Sequence, residues 1–194
     1  MIDANEWLGE CLVKAHHELF TLQNAGYSQP YYVRHDYAHI RRGEVAAFIK
    51  TYYNQFSALA DRETYTFWEH YFGASPHKTH EEGWFLMQTR WMLWLEDGDT
   101  LRLLPGVPRA WLEAGKEIKL DKVASHFGKF SLHVRAQCNR IEAEVKFHEP
   151  ARKPATVALR LPHPLGLKAK RCSGGKYAAE TVTISGNGKV ILEF

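Results

Sequence analysis

A carboxylate, Glu69, stands between two aromatic side chains, Trp68 and His70, in the stretch Thr64-Tyr65-Thr66-Phe67-Trp68-Glu69-His70-Tyr71. A polar stretch, Ser75-Pro76-His77-Lys78-Thr79-His80-Glu81-Glu82-Gly83-Trp84, follows a few residues later. A carboxylate flanked by rings is either pushed toward its neutral form by desolvation or held ionised by neighbouring donors. Hydrolysis of a glycosidic bond uses both states, one as proton donor and one as base. Aromatic faces beside polar groups also make the platforms on which sugars stack. A Trp-Glu pair by itself is more often a surface salt-bridge partner beside a buried ring.

His70, His77 and His80 lie close to Glu81 and Glu82, a composition that invites a metal. No His-x-x-x-His or His-Glu-x-x-His spacing occurs among them, so no helix aims them at one point, and neither a metal nor a cofactor is expected. Arg34, His35, Asp36 and His39 form a second cluster. Arg and Asp match vicinal diols through bidentate contacts, which makes Arg34 and Asp36 candidates for holding a sugar. A loop tied down by its own hydrogen bonds would use the same residues. His35 and His39 have the spacing of a helical metal pair but fall in a segment that reads as loop. A serine or cysteine nucleophile is not supported: there is no Gly-x-Ser-x-Gly elbow, and Cys11 lies on a helix face. The best phosphate-loop candidate, Ser173-Gly174-Gly175-Lys176, lies between two strands with no helix after it.

The elements that must position these residues change character along the chain. From Asp3 to Gln23 apolar residues recur at three and four, with Asp3 and Glu6 in a capping-box pattern, which predicts an amphipathic helix. Residues 24 to 42 read as a polar, aromatic loop, and Gly43 to Leu59 as a second helix. Residues 60 to 79 read as another long loop, the one that holds Glu69. His80 to Leu95 reads as a third helix, apolar nearly all round and therefore buried on most sides. After Glu96-Asp97-Gly98-Asp99 the period switches to two. Short strands are predicted at Thr100–Leu104, Glu117–Leu120, Lys129–Arg135, Arg140–Lys146, Ala155–Leu161, Leu167–Arg171, Glu180–Ile184 and Lys189–Phe194. The segment Pro105 to Leu112 breaks this pattern as a tight turn into a short helix. The expected fold is α+β in two domains, a helical region over 1–98 and an antiparallel β-sandwich over 99–194.

Composition excludes several classes. The chain has 194 residues, 45% of them hydrophobic and 24% charged, which is ordinary globular composition without a disorder signature. The net charge of +3 hides an asymmetry. Residues 1 to 98 carry 8 basic against 13 acidic side chains, and residues 99 to 194 carry 17 against 9. The basic residues are spread through strand-patterned sequence and do not cluster as a nucleic-acid-binding run. No apolar run spans a bilayer and no signal peptide opens the chain, so it reads as soluble, away from membranes, and cytoplasmic as given. Cys11, Cys138 and Cys172 are far apart and form no Cys-x-x-Cys pair, so they read as free thiols.

With helices, Trp-Glu loop and β domain in this order, the chain resembles the C-terminal part of a six-hairpin glycosidase. It is similar to the bacterial α-L-rhamnosidase-like enzymes, in which an (α/α)6 toroid precedes a β-sandwich. In that family a Thr-Thr-x-Trp-Glu-x-Trp segment carries the catalytic base, and Tyr65-Thr66-Phe67-Trp68-Glu69-His70-Tyr71 is similar to it. Ser75-Pro76-His77 and Gly83-Trp84-Phe85-Leu86 approximate the loop and helix that follow. Leu103-Leu104-Pro105-Gly106-Val107-Pro108 resembles the link into the sandwich.

The resemblance implies that Glu69 is the general base of an inverting hydrolysis. Trp68, Tyr71 and Trp84 would then wall the sugar site, with His70, His77 and His80 as further substrate-binding candidates. Inversion needs a second carboxyl about 6.5 to 9.5 Å away to leave room for water. The family carries that acid on an earlier hairpin absent from this chain. Asp36, Asp61, Glu81 and Glu82 are the nearby substitutes, and none matches a family motif. A toroid needs twelve helices where three are visible, so a fragment, a self-assembling chain and a chain that has lost catalysis all stay open. A module that binds carbohydrate without cleaving it, and a structural fragment that forms homo-oligomers through its helices, are the competing readings.

Overall fold

A computed structural model describes residues 36–68, 77, 79–148 and 152–194. The chain divides into two compact units, Met1–Met92 and Leu93–Phe194. The described residues form three α-helices followed by two five-stranded sheets, a mixed α+β chain with a sandwich-like part. The helix predicted over Asp3 to Gln23 lies outside the described residues. No helix among them is long and apolar enough to cross a membrane.

In the helical unit, α1 (Asp36–Arg42) occupies the end of the segment predicted to be loop. Seven residues are too few to display a 3.6-residue period, and the signals lie at the ends. Asp36 in the first turn and His39, Arg41 and Arg42 in the last complement the helix dipole. Gly43, at φ 77°, donates to the Ile40 carbonyl at 3.2 Å while Glu44 N–H reaches His39 at 2.9 Å, a Schellman closure. Gly43 therefore ends one helix and does not open the next. In α2 (Val45–Leu59), Phe48, Tyr52, Gln55 and Leu59 share one buried face. The chain then folds back through an Ala60–Phe67 bridge, and Trp68 N–H donates to the Leu59 carbonyl at 2.8 Å.

The third helix, α3 (Thr79–Leu93), departs from its predicted burial on most sides. Glu81, Trp84, Gln88 and Trp91 recur at three, four and three, so they fall on one face. Glu81, Gln88 and Trp91 are buried, whereas Leu86 is 68% and Met87 42% exposed. The buried face is the one that mixes polar with aromatic groups. The helix also stops two residues early, because Trp94 is the first residue of a strand.

The second unit contains β1 (Trp94–Asp97), β2 (Thr100–Leu103), β3 (Glu117–Ser125), β4 (Gly128–Gln137) and β5 (Arg140–His148). It continues with β6 (Thr156–Arg160), β7 (Arg171–Ser173), β8 (Lys176–Ala178), β9 (Thr181–Ile184) and β10 (Gly188–Glu193). One sheet has the order β1-β2-β6-β9-β8 and the other β3-β4-β5-β10-β7. Alternation aims Leu101, Leu103, Val157, Leu159 and Val182 of the first sheet into the core. Phe130, Leu132, Val134, Ile141, Val145, Val190 and Leu192 of the second do the same. Trp94 of β1 meets Phe130 of β4 at 6.0 Å between ring centres, joining the two layers.

Three details differ from the predicted antiparallel sandwich. The β2–β6 pair is parallel, from Thr100 opposite Thr156 to Leu103 opposite Leu159. The strand predicted at Leu167–Arg171 begins only at Arg171. Leu165 and Leu167 mimic strand alternation in a loop where they stand 81% and 51% exposed. The strand β8 has three residues, too few to announce itself. Between β7 and β8 the chain crosses from one sheet to the other at Gly174-Gly175. A Cβ on Gly174 would lie 1.8 Å from the Lys189 carbonyl oxygen, and one on Gly175 2.5 Å from Val182 Cγ1. The Gly-Gly pair is thus a packing requirement, not an anion loop. As predicted, the Pro105–Leu112 turn ends in a short 3-10 helix, Arg109–Leu112. Glu180 clamps this turn: it accepts from Arg109 Nη2 and, at 3.4 Å, from Arg160 Nη2. The same arginines reach the carbonyls of His163 and Val107 at 2.8 and 2.9 Å.

Candidate functional site

Two carboxyls, Asp36 of α1 and Glu81 of α3, are buried in the helical unit at 0% and 1% exposure. Two buried amides connect them. Gln55 Nε2 donates to Glu81 Oε2 at 3.4 Å, and Gln55 Oε1 accepts from Gln88 Nε2 at 2.5 Å. The Gln88 and Trp84 side chains in turn lie against the Asp36 carboxyl. Glutamine suits this relay because one side chain both donates and accepts. His80 Nε2 stands 3.1 Å from Glu81 Oε1.

Burial pushes the Asp36 carboxyl above the ordinary Asp range. Gln88, the backbone N–H groups of Tyr37 and Asp36, and Trp84 oppose that shift without reversing it. Neither Asp36 oxygen has a hydrogen bond of good geometry among the described residues, which is why desolvation prevails. Trp84, which lies against the carboxyl, belongs to a group of rings: it meets Trp91 edge-on at 5.3 Å, Tyr37 meets Trp91 at 4.6 Å, and the Arg41 guanidinium lies 5.8 Å from the Tyr37 ring centre. A carboxyl whose neutral form is favoured by burial, beside an aromatic ring, has the chemistry of a proton donor. Beyond the C-terminal end of α1, Glu44 behaves oppositely. Partial burial disfavours its charge, but hydrogen bonds from His39 at 2.7 Å and Arg42 at 2.6 Å outweigh this and hold it below the ordinary range.

The folded state retains the Asp36 proton to higher pH than the unfolded chain does. Its ionisation therefore costs stability, which declines as pH rises from the ordinary Asp value of 3.8 through the raised value, then levels off. Asn at this position has no proton to lose. The Asp36→Asn variant is expected to gain on the parent as pH rises in thermal melts followed by helical circular dichroism. A difference that stays constant with pH would refute this.

Of the residues singled out from sequence, Arg34, His35, Glu69, His70 and Tyr71 lie outside the described residues. Asp36 and Trp84 come together. His80 pairs with Glu81, and His77 is exposed. Trp68 lies beside Asp61, whose carboxyl is held below the ordinary range by the backbone N–H groups of Thr64 and Glu63. Neither Trp68 nor His77 shares a hydrogen bond or ring contact with the Asp36 group among the described residues. Of the four substitute acids, Asp61 is held ionised and Glu82 is half-buried, which leaves Asp36 and Glu81 as the enclosed pair.

Sequence reasoning passed over Gln55 and Gln88. Their signal is a polar residue recurring in register with an apolar stripe, Gln55 with Phe48 and Tyr52, Gln88 with Trp84 and Trp91. Sequence reasoning also passed over Ser131, whose hydroxyl lies 2.9 Å from His148 Nε2. Asp121 approaches that serine, at 3.2 Å, and not the histidine, so the three form no proton relay. They fasten the β3 bulge, where Lys122 N–H donates to Ser131 at 3.0 Å. No group of three or more metal-ligating side chains occurs among the described residues. Compared with known protein families, with curated proteins and with solved structures, the chain has no match in any of the three.

Proposed function

We propose that the chain is a glycoside hydrolase, or the C-terminal part of one, of the α-L-rhamnosidase-like six-hairpin kind. In this reading its helices are the last hairpins of an (α/α)6 toroid, Glu69 is the general base of an inverting reaction, and Asp36 is the proton donor. The observation that carries the proposal is the enclosed Asp36 carboxyl, its pKa raised by burial, against Trp84, a ring that in turn meets Trp91. A general acid must hold its proton until the leaving oxygen needs it, and desolvation shifts Asp36 in that direction. Self-association through the helices belongs to the same proposal, supported by the exposed Tyr53, Phe56, Leu86 and Met87.

Two variants test it on aryl and alkyl α-L-rhamnosides. Glu69→Gln is expected to abolish hydrolysis of both substrates with the fold intact. Asp36→Asn is expected to slow the alkyl glycoside, whose poor leaving group needs protonation, by roughly 10²- to 10⁴-fold. A dinitrophenyl glycoside, which leaves unprotonated, would then lose far less. Unchanged turnover in Glu69→Gln would sink the hydrolase reading. Equal losses on both substrates in Asp36→Asn would remove Asp36 from the acid role. The complete burial of Asp36 favours a second reading, a non-catalytic carbohydrate-binding fragment in which the carboxyl organises the helices. Calorimetric heat with a glycan and no released sugar would support that one.

A further inference from the structure

We propose that the β unit carries a binding site of its own for acidic sugars, uronic acids in particular, where β4, β5, β7 and β10 end together. It does not rest on the hydrolase reading. A cleft of about 540 Å³ opens there, within the size range of small-molecule sites. Sheet register builds it: Glu193 of β10 lies opposite Arg140 of β5 on one side and Arg171 of β7 on the other. Lys170, Gln137 and Asn139 complete the polar lining, and Phe194 provides a ring.

The charges are incompletely matched. Arg140 spends its Nη2 on Glu142 at 2.6 Å, and its Nε is buried without an acceptor among the described residues. Lys170 and Arg171 are exposed and make no ion pair among the described residues. With Arg140 engaged by Glu142, Lys170 and Arg171 are the two cations left facing Glu193. A guanidinium that is not already committed takes a carboxylate in a planar, two-point contact.

Glu193 narrows the choice of ligand. It repels a phosphate dianion but accepts hydrogen bonds from hydroxyls, as the amides of Gln137 and Asn139 also do. A polyol with a single carboxylate satisfies all of these groups, and the Phe194 ring offers an apolar face to its C–H side. The frame is pre-formed. Phe194 N–H donates to the Asn139 carbonyl at 2.9 Å and Lys170 N–H to the Glu193 carbonyl at 2.7 Å. The Phe194 ring also packs on His163 at 4.4 Å between centres.

Titration of the full chain with D-glucuronic acid, followed by amide chemical shifts, tests the proposal, with D-glucose and inorganic phosphate as comparison ligands. Shifts at residues 137–140, 170–171 and 193–194 that saturate with glucuronic acid are expected. Affinity should fall at least ten-fold for glucose, for phosphate, and for glucuronic acid in a Lys170→Ala/Arg171→Ala variant. Both side chains are exposed, so the fold should survive; Arg171→Gln gives the same reading if the double variant misfolds. No saturating shift at these residues would overturn the proposal, as would equal binding by parent and variant. Phosphate binding as tight as glucuronic acid would reduce the cleft to a simple anion site and overturn it too.

Discussion

Gly174→Ala is expected to lower the melting temperature of the β unit by roughly 15 to 30 °C, from about 4 kcal/mol or more of lost stability in a unit of about 100 residues. Two costs combine. The backbone at 174 has φ +85°, a left-handed conformation that costs a non-glycine residue roughly 1–2 kcal/mol. The larger cost is the collision. The new Cβ meets the Lys189 carbonyl oxygen at 1.8 Å, its carbon at 2.9 Å and Val190 Cα at 3.2 Å, all backbone atoms of β10. No side chain can rotate away, and β10 is held between β5 and β7, so relief requires parting the sheet. Gly115→Ala is the control, because Gly115 has φ +86° with nothing within 4 Å and isolates the conformational cost. Near-ultraviolet dichroism melts of the two variants decide the matter. If they melt together, the approach of Gly174 to β10 is not a packing constraint.

Glu180→Ala should be the next most damaging change, costing about 2–3 kcal/mol and roughly 10 to 20 °C. Glu180 is shared by two arginines of unequal exposure. The Arg109 side chain is 41% exposed and Arg160 only 13%. Burial already pushes the Arg160 pKa down, and Glu180 is the counter-charge that resists this. Without it a guanidinium stays enclosed with no anion. The full cost of orphaning a buried charge, about 3–5 kcal/mol, is discounted here because Arg109 reaches water. Glu180→Gln keeps an acceptor and should lose about half as much. Because the Arg160 contact is largely shielded, the loss should persist when salt is raised to about 1 M. A shift under about 2 °C, or one that salt erases, would mean that the carbonyls of Val107 and His163 hold the arginines unaided.

The β unit was legible because most of its strands bury one face, so period two is written directly into residues such as Phe130, Leu132 and Val134. Pairing direction is not written there: Leu101 and Leu103 alternate identically in a parallel or an antiparallel neighbour. In the helical unit, α1 was hidden by its length. Its terminator, Gly43, was visible but serves either to end one helix or to precede another. For α3, counting apolar residues misled, since the face that is buried contains Glu81 and Gln88 while Leu86 and Met87 face solvent. Asp36 and Trp84 were legible as residue types suited to a site, whereas the bridging role of Gln55 and Gln88 depends on the meeting of two helices, which no single-helix period encodes.

The parallel β2–β6 ladder also dictates an order of events during synthesis. Thr100 and its partner Thr156 are fifty-six residues apart, with all of β3, β4 and β5 strung between them. That meander is built from neighbouring strands and can pair as soon as it leaves the ribosome, while the ladder must wait for the chain to return. At about 5 to 20 residues per second, the β1–β2 hairpin spends roughly 3 to 12 seconds without its permanent neighbour. For that interval Leu101 and Leu103 lack the cover that β6 later gives them, which leaves this hairpin open to pairing with its own kind.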